Sequence, residues 1–218
     1  MPSVKTSISE AMDRVKRKNK SQLEFLLNFR DGNSGRHVMT RAEKWLQMEL
    51  LYQLDFTSVK ERDVFVEYPI EYRKESRLKP NKLKKVDAKK GFIDIVYKPR
   101  DKVNDVYVGI ELKFKKNPTS AHRESLKDIL KLAAMKKPEH DFRGLYVLTV
   151  YDKNAVNVDK SNYLKFIASN DIHEFGGFCY SLVGHEVPPL SKDSFLVSFM
   201  EWTTNLQNQA QQYGLTME

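Results

Sequence analysis

Two acidic residues and one lysine have spacings that could support metal-assisted chemistry. Asp94 lies in the middle of the apolar run 92–97, and Glu111 and Lys113 are two residues apart in the alternating segment 106–114. Because side chains alternate between the faces of a strand, Glu111 and Lys113 leave the same face. The connection between the two segments is short enough for antiparallel pairing, so we expect Asp94 to lie across from Glu111.

These three residues have the chemistry of a divalent-cation site. Two converging carboxylates supply the oxygen ligands that Mg²⁺ prefers, while the cation keeps several waters. Such a cation polarises a phosphate and lowers the pKa of a bound water. The amino group of Lys113 could orient that water or stabilise negative charge in the transition state. A Glu-x-Lys on an exposed strand face is also a common chance pattern, so the interpretation depends on Asp94 and on the charge of the rest of the chain.

The positive charge of the chain is concentrated in one segment. The 218 residues carry a formal net charge of +8, with an isoelectric point of about 9.3. Between positions 73 and 90, nine basic residues are opposed by two acidic ones, which gives this segment a net charge of +7. Such a concentration favours a polyanion as partner, although a solvated loop is the alternative. The basic residues are Arg73, Lys74, Arg77, Lys79, Lys82, Lys84, Lys85, Lys89 and Lys90.

The elements that must position these residues alternate between helices and strands. Apolar periodicity predicts strands over 64–72, 92–97, 106–114, 145–150 and 178–183, and helices over 8–30, 40–55, 120–136, 160–169 and 192–211. Thr40 and Glu43 have the spacing of a capping box, which favours a helix start at Thr40. The order α-β-β-β-α-β predicts an α/β fold with a central mixed sheet of four to five strands, flanked by helices.

The spacing of the acidic residues and the order of the elements together resemble a known family. Ile-Asp at 93–94 and Ile-Glu-Leu-Lys at 110–113 look like the PD-(D/E)XK motif of the restriction-endonuclease-like superfamily, and the order over 40–150 is similar to its shared core. The resemblance covers about half of the chain and implies that Asp94 and Glu111 bind the metal while Lys113 assists the attacking water. One departure is the isoleucine before Asp94, where the motif has proline.

The same resemblance implies a further metal-binding glutamate on the first core helix. Glu49 falls within an apolar stripe of that helix, where a carboxylate is costly to bury without a partner. Glu43 lies at the predicted helix start, in a Glu-x-x-Leu setting similar to archaeal Holliday-junction resolvases and to endonuclease subunits of heteromeric transposases. Its alternative role is in the capping box. Both residues are candidates, and we prefer Glu43.

The resemblance and the basic segment predict a Mg²⁺-dependent endonuclease that hydrolyses phosphodiester bonds in DNA, with Mn²⁺ as a substitute. The basic segment would hold the DNA backbone largely without recognising sequence. The alternatives are a non-catalytic nucleic-acid-binding module on the nuclease fold and an RNA-cleaving member. Because one active site cuts one strand, duplex cleavage would favour a homodimer or a partner subunit.

Composition and motifs exclude several other classes of protein. The single cysteine, Cys179, rules out an intramolecular disulfide and a cysteine-rich zinc site. There is no glycine-rich phosphate loop, so we expect no nucleotide cofactor. Without a signal-like or membrane-spanning apolar run, we expect a cytoplasmic protein that does not contact a membrane. We expect one domain, with an N-terminal helical extension (1–39), a catalytic core (40–152) and a C-terminal extension (153–218).

Overall fold

A computed structural model describes residues 3–28, 35–54, 64–75, 86–99, 106–115, 117–135, 140–153, 172–187 and 195–212. The helices are α1 (Val4–Lys18), α2 (Lys20–Asn28), α3 (Gly35–Gln53), α4 (Pro118–Ala133) and α5 (Phe195–Gln212). The strands are β1 (Val64–Glu75), β2 (Val86–Tyr97), β3 (Val106–Lys115), β4 (Asp141–Asp152), β5 (Ile172–Phe175) and β6 (Phe178–Glu186). Among the described helices, none combines the length and the apolar character that crossing a membrane requires.

The strands form one mixed sheet in the order β1-β2-β3-β4-β6-β5. The pair β3–β4 is parallel, and the other neighbours are antiparallel. The prediction of an α/β fold with a mixed sheet flanked by helices is confirmed, but the sheet has six strands rather than four to five. The strand missed from the sequence is β5, which joins β6 through Gly176 and Gly177, both with positive φ. Two such residues suit a tight hairpin turn.

The two faces of the sheet are covered by different helices. One face packs against α1, α2 and α3, and the other against α4 and α5. The alternation predicted for β3 is confirmed, because Tyr107 points to the second face while the apolar row points to the first. Full burial of each aliphatic side chain contributes roughly 1.5–3 kcal/mol. The residues of that row in the core are Val108, Ile110, Leu112 and Phe114.

The predicted first helix is in fact two helices that meet at Asn19. The helix α1 begins at Val4, because Ser3 caps it and its Oγ accepts a hydrogen bond from the Thr6 N–H at 3.1 Å. Asn19 leaves the helical conformation, with φ −120° and ψ 33°, and its side chain donates to the carbonyl of Val15 at 3.2 Å. An asparagine that bonds to nearby backbone in this way competes with helix continuation.

The predicted start of the second helix at Thr40 is wrong. The helix α3 already begins at Gly35, so Thr40 lies inside it. A capping-box residue must precede the first helical turn, and therefore Thr40 and Glu43 do not form one. Glu43 therefore has no capping-box role. The predicted helix at 160–169 lies outside the described residues.

The first two strands are longer than predicted and run into the basic segment. Arg73 pairs with Ala88, and Glu71 pairs with Lys90, so both ends of this segment are arms of a β-hairpin rather than a loop. Basic residues such as Arg73 suit β1, because it is an edge strand of the sheet and charged residues discourage pairing with other chains. Positions 76–85 lie outside the described residues.

Candidate active site

The strands β2 and β3 pair over a short stretch that ends next to Asp94. The last pair is Ile95 with Ile110. Beyond it, Oδ2 of Asp94 accepts a hydrogen bond from the backbone N–H of Leu112 at 2.7 Å. Continuing the register would set Asp94 opposite Glu111, as the sequence predicted. A carboxylate therefore bonds to the β3 edge where the ladder between the two strands has ended.

The strand β2 changes face at Asp94. Ile93 packs on the α4–α5 side and Ile95 on the α1–α3 side, although residues two apart normally share a face. Across the β1–β2 ladder, Glu67 falls opposite Asp94 and has φ of 55°, which is uncommon for a residue other than glycine. Glu67 is also ion-paired with Lys44 of α3. This irregular backbone lies at the candidate site, where such strain is often found.

The helix α3 reaches the same edge of β3. Oε2 of Glu43 accepts a hydrogen bond from the Phe114 N–H at 3.1 Å. Gln47, one turn later and buried, donates from Nε2 to the carbonyl of Asp94 at 2.5 Å. Burial raises the pKa of Glu43 and the charge of Asp94 adds to this, whereas Lys113 and the Phe114 hydrogen bond act in the opposite direction. Asp94 and Glu43 thus accept hydrogen bonds from alternate backbone N–H groups, those of Leu112 and Phe114, along one edge of β3.

Glu111 and Lys113 contact α4. Oε1 of Glu111 accepts from Nζ of Lys131 at 2.5 Å, and Nζ of Lys113 lies 3.1 Å from Oδ2 of Asp128. Lys131 also lies 3.3 Å from Oδ1 of Asp128. The helix α4 therefore supplies a residue of opposite charge to each member of the predicted Glu-x-Lys pair, Lys131 to Glu111 and Asp128 to Lys113.

Burial and the neighbouring charges shift the pKa values of these groups. Burial, opposed by the charge of Lys131 and reinforced by the charges of Asp128 and Asp94, raises the pKa of Glu111 to about 8. Burial lowers the pKa of Lys113, but the carboxylates around it, with Asp128 first, raise it above the ordinary value of lysine. Strongly shifted carboxylates and amines in one cluster are typical of functional sites.

The structure brings together four of the five predicted acidic and basic site residues of the core. Asp94 and Lys113 each interact electrostatically with both Glu43 and Glu111. Glu49 lies elsewhere, at the junction of α1 and α2, where its Oε2 accepts from Nδ2 of Asn19 at 3.0 Å. The polar partner that the sequence argument required for Glu49 is therefore a structural one.

Three residues of this cluster were not predicted from the sequence. Gln47 is one turn from Glu43, so a polar residue at this spacing within the apolar stripe was a usable signal. Asp128 and Lys131 are three residues apart in α4, next to the buried Leu132 and Ile129. Their charged pattern resembles an ordinary solvated helix face, and only the packing of α4 against β3 shows their role.

The donor atoms of the cluster suit a hard divalent cation. Glu43, Asp94 and Glu111 offer carboxylate oxygens, and each contact described above uses one of the two oxygens of its carboxylate. In the parts of the chain that the structure describes, no three His, Cys, Asp or Glu side chains are already arranged around one point to hold a metal ion. The chemistry of the donors fits, and side-chain rotation would be needed to bring them to a common point.

The structure describes only four of the nine predicted nucleic-acid-binding residues. Lys89 and Lys90 are exposed on β2, and Arg73 and Lys74 lie on β1, where the structure does not describe their side chains. The other five lie outside the described residues, namely Arg77, Lys79, Lys82, Lys84 and Lys85. Lys89 and Lys90 lie five and four residues before Asp94 on the same strand.

The chain matches no protein-family model, and no curated protein or solved structure is significantly similar to it.

Proposed function

We propose that this protein is a metal-dependent endonuclease of restriction-endonuclease-like fold that hydrolyses phosphodiester bonds in DNA. The observation that carries the proposal is the pair Asp94 and Glu43, which bind alternate amides of the same β3 edge. Between those two amides lies Lys113, and Glu111 precedes them by one residue. A structural carboxylate needs no such neighbours, whereas a cation-dependent hydrolase does.

Glu43, Asp94 and Glu111 are the residues that would hold the cation. Burial, and to a smaller extent repulsion from the neighbouring carboxylates, raises the pKa of Glu111, so its ionised form is costly in the metal-free protein. A divalent cation removes that cost. When bound, Mg²⁺ or Mn²⁺ would polarise the scissile phosphate and acidify a water.

Lys113 serves this chemistry as a cation. Its pKa lies above the ordinary value of lysine because four carboxylates surround it, so it stays protonated at neutral pH. A protonated amine cannot take the proton of the attacking water. It can donate a hydrogen bond to the water or to a phosphate oxygen as negative charge develops there. Asp128 holds the amine within 3.1 Å of its own oxygen, which limits where Lys113 can point.

The order of elements supports the finer assignment of the fold. From α3 to β4 the chain runs α-β-β-β-α-β, the order predicted for the core, and β4 lies parallel to β3 after the crossover helix α4. Residues 153–218, predicted as an extension, supply β5 and β6 and so widen the same sheet. The acidic cluster then lies where the central strands β2 and β3 separate.

The β1–β2 hairpin would bring DNA to the site. Its basic arms include Lys89 and Lys90, close in sequence to Asp94, and the segment of residues 73–90 carries most of the net charge. Contacts of this type neutralise phosphates and carry little sequence information. We expect the substrate backbone to pass over the hairpin toward the separated strands.

The first test is cleavage of supercoiled plasmid in Mg²⁺, in Mn²⁺ and in EDTA. We compare the wild type with Asp94→Ala and Lys113→Ala, and use Glu10→Ala on the exposed face of α1 as the control. Metal-dependent nicking that disappears in the first two variants and persists in the control is the expected result. DNA binding without cleavage would favour a non-catalytic module, and cleavage of RNA alone would favour the RNA-cleaving alternative. Neither cleavage nor binding would refute both interpretations.

A further inference from the structure

A second lysine is bound directly to one of the proposed ligand carboxylates. Nζ of Lys131 donates to Oε1 of Glu111 at 2.5 Å and to the carbonyl of Phe92 at 3.1 Å. The side chains of Lys131 and Glu111 are only 17% and 3% exposed. When Glu111 is ionised, a charge pair at this depth is weakly screened by solvent, so the amine is then a strong local counter-ion.

Asp128 lies within reach of both lysines of the site. Its Oδ1 is 3.3 Å from Lys131 and its Oδ2 is 3.1 Å from Lys113. Among the described residues, Oδ2 makes no hydrogen bond of normal geometry, so its contact with Lys113 is one of charge alone. Asp128 therefore has spare capacity to accept a hydrogen bond from an amine.

We infer that Lys131 takes the place of the metal beside Glu111 in the metal-free protein, and that it withdraws to Asp128 when a divalent cation binds. This inference rests on the proposed function, because it takes Glu111 as a ligand of the cation. It assigns Lys131 and Asp128 as positioning residues, which act through Glu111 rather than on the substrate.

The distances explain why such an exchange is easy. An ammonium and a divalent cation repel each other and cannot both lie against one oxygen of Glu111. Lys131 is already 3.3 Å from Asp128, so it can leave Glu111 without losing its other carboxylate partner. Glu111 in turn never stays buried without a positive neighbour, which would be costly.

The test is the affinity of metal-free protein for Mn²⁺, measured by titration with electron paramagnetic resonance of the free ion. Lys131→Gln removes the competing charge but keeps an N–H donor for Glu111, so it should fold and bind Mn²⁺ roughly tenfold more tightly. Lys127→Gln, one turn earlier on α4 and exposed, should leave the affinity unchanged. Lys113→Gln separates competition from general electrostatics, because Lys113 is about as buried as Lys131, at 18% exposed, and its amine forms an ion pair with Asp128 and a hydrogen bond to the Leu112 carbonyl rather than a direct contact with Glu111. It should raise the affinity less.

Asp128→Asn completes the design. It leaves Lys131 with Glu111 as its remaining carboxylate partner and should weaken Mn²⁺ binding in the wild-type background. In the Lys131→Gln background, Asp128→Asn should change the Mn²⁺ affinity much less, because residue 131 then carries no ammonium group for Asp128 to bind.

The inference is overturned if Lys131→Gln binds Mn²⁺ no more tightly than the wild type, or no more tightly than Lys113→Gln. In that case the proposed metal site would stand, because the wild type would still bind Mn²⁺. If neither wild type nor variants bind Mn²⁺ at millimolar concentration, the metal site and the role of Lys131 fail together. A Lys131→Met variant, which cannot hydrogen bond to Glu111, should unfold at lower temperature in EDTA than Lys131→Gln and regain stability with Mn²⁺.

Discussion

The side chain of Asp94 accepts the hydrogen bond of the Leu112 N–H that a backbone carbonyl of a neighbouring strand would otherwise accept. Oδ2 of Asp94 accepts from the Leu112 N–H at 2.7 Å, just past the last residue pair of the β2–β3 ladder. Without this bond the amide would be a buried donor with no strand opposite it. The same carboxylate is thus a proposed metal ligand and a part of the sheet.

This double role predicts that two substitutions of Asp94 differ in stability. Asp94→Asn keeps an oxygen that can accept from Leu112, whereas Asp94→Ala leaves the N–H unpaired at a cost of about 1–3 kcal/mol. We expect both to lose metal-dependent cleavage, but only the alanine variant to lose this much free energy of unfolding. Urea denaturation in EDTA measures the difference. Equal stabilities would mean that the hydrogen bond to Leu112 contributes little.

The raised pKa of Glu111 predicts how stability depends on pH in the absence of metal. Its pKa is about 8 in the folded protein and near 4.5 in the unfolded chain, so the folded state binds the proton more tightly. Its contribution to stability is therefore complete below pH 4.5 and is lost as pH rises toward 8 and beyond. The change should be on the order of a few kcal/mol, because the side chain is almost fully buried.

The variant Glu111→Gln isolates this effect. It cannot ionise, so its unfolding free energy in EDTA should fall less between pH 5 and pH 9 than that of the wild type, and should exceed it at pH 9. Glu201→Gln, at an exposed position of α5, serves as the control. Parallel pH profiles of wild type and Glu111→Gln would show that Lys131 fully compensates the buried charge.

The acidic strand residues could be found from the sequence because the signal is local. The alternation around Glu111 and Lys113 has the period of a strand, and that period assigns each side chain to a face without knowledge of the fold. The position of Asp94 opposite Glu111 followed from one short connection. Residues within one hairpin or one meander can be related in this way.

The partners from α4 could not be found in the same manner. Lys131 meets Glu111 only after a parallel crossover sets the helix against the sheet, and nothing in the spacing of charges along α4 separates Asp128 from solvated neighbours. The face change of β2 at Asp94 was hidden as well, because the irregularity beside it, the positive φ of Glu67, lies in another strand. The capping-box spacing at Thr40 misled because α3 starts earlier.

The basic segment predicts a strongly salt-dependent affinity for DNA. We expect the double variant Lys84→Glu/Lys85→Glu to bind duplex DNA much more weakly at 100 mM salt, and to show a shallower dependence of affinity on salt, because fewer counterions are released. Its Mn²⁺ affinity should be retained. The matched control is Lys18→Glu/Lys20→Glu, the same change of charge at exposed positions on α1 and α2. Equal losses in both doubles would indicate that net charge, rather than the basic segment 73–90, governs binding.

The two glutamates of α3 should respond differently to the same small change. In Glu43→Gln the side-chain oxygen can still accept from the Phe114 N–H, and a raised pKa means that a neutral side chain suits the site at least as well. The stability of this variant should therefore equal that of the wild type, while its Mn²⁺ affinity and cleavage fall by at least about tenfold through loss of a charged ligand.

Glu49→Gln keeps an acceptor for Asn19 at the junction of α1 and α2, so cleavage and Mn²⁺ affinity should stay near the wild-type values. Measuring unfolding, Mn²⁺ affinity and plasmid nicking on both variants separates ligand from scaffold. If Glu49→Gln lost Mn²⁺ binding while Glu43→Gln kept it, the metal site would have to be built on the α1–α2 side of α3, and the edge of β3 would be structural.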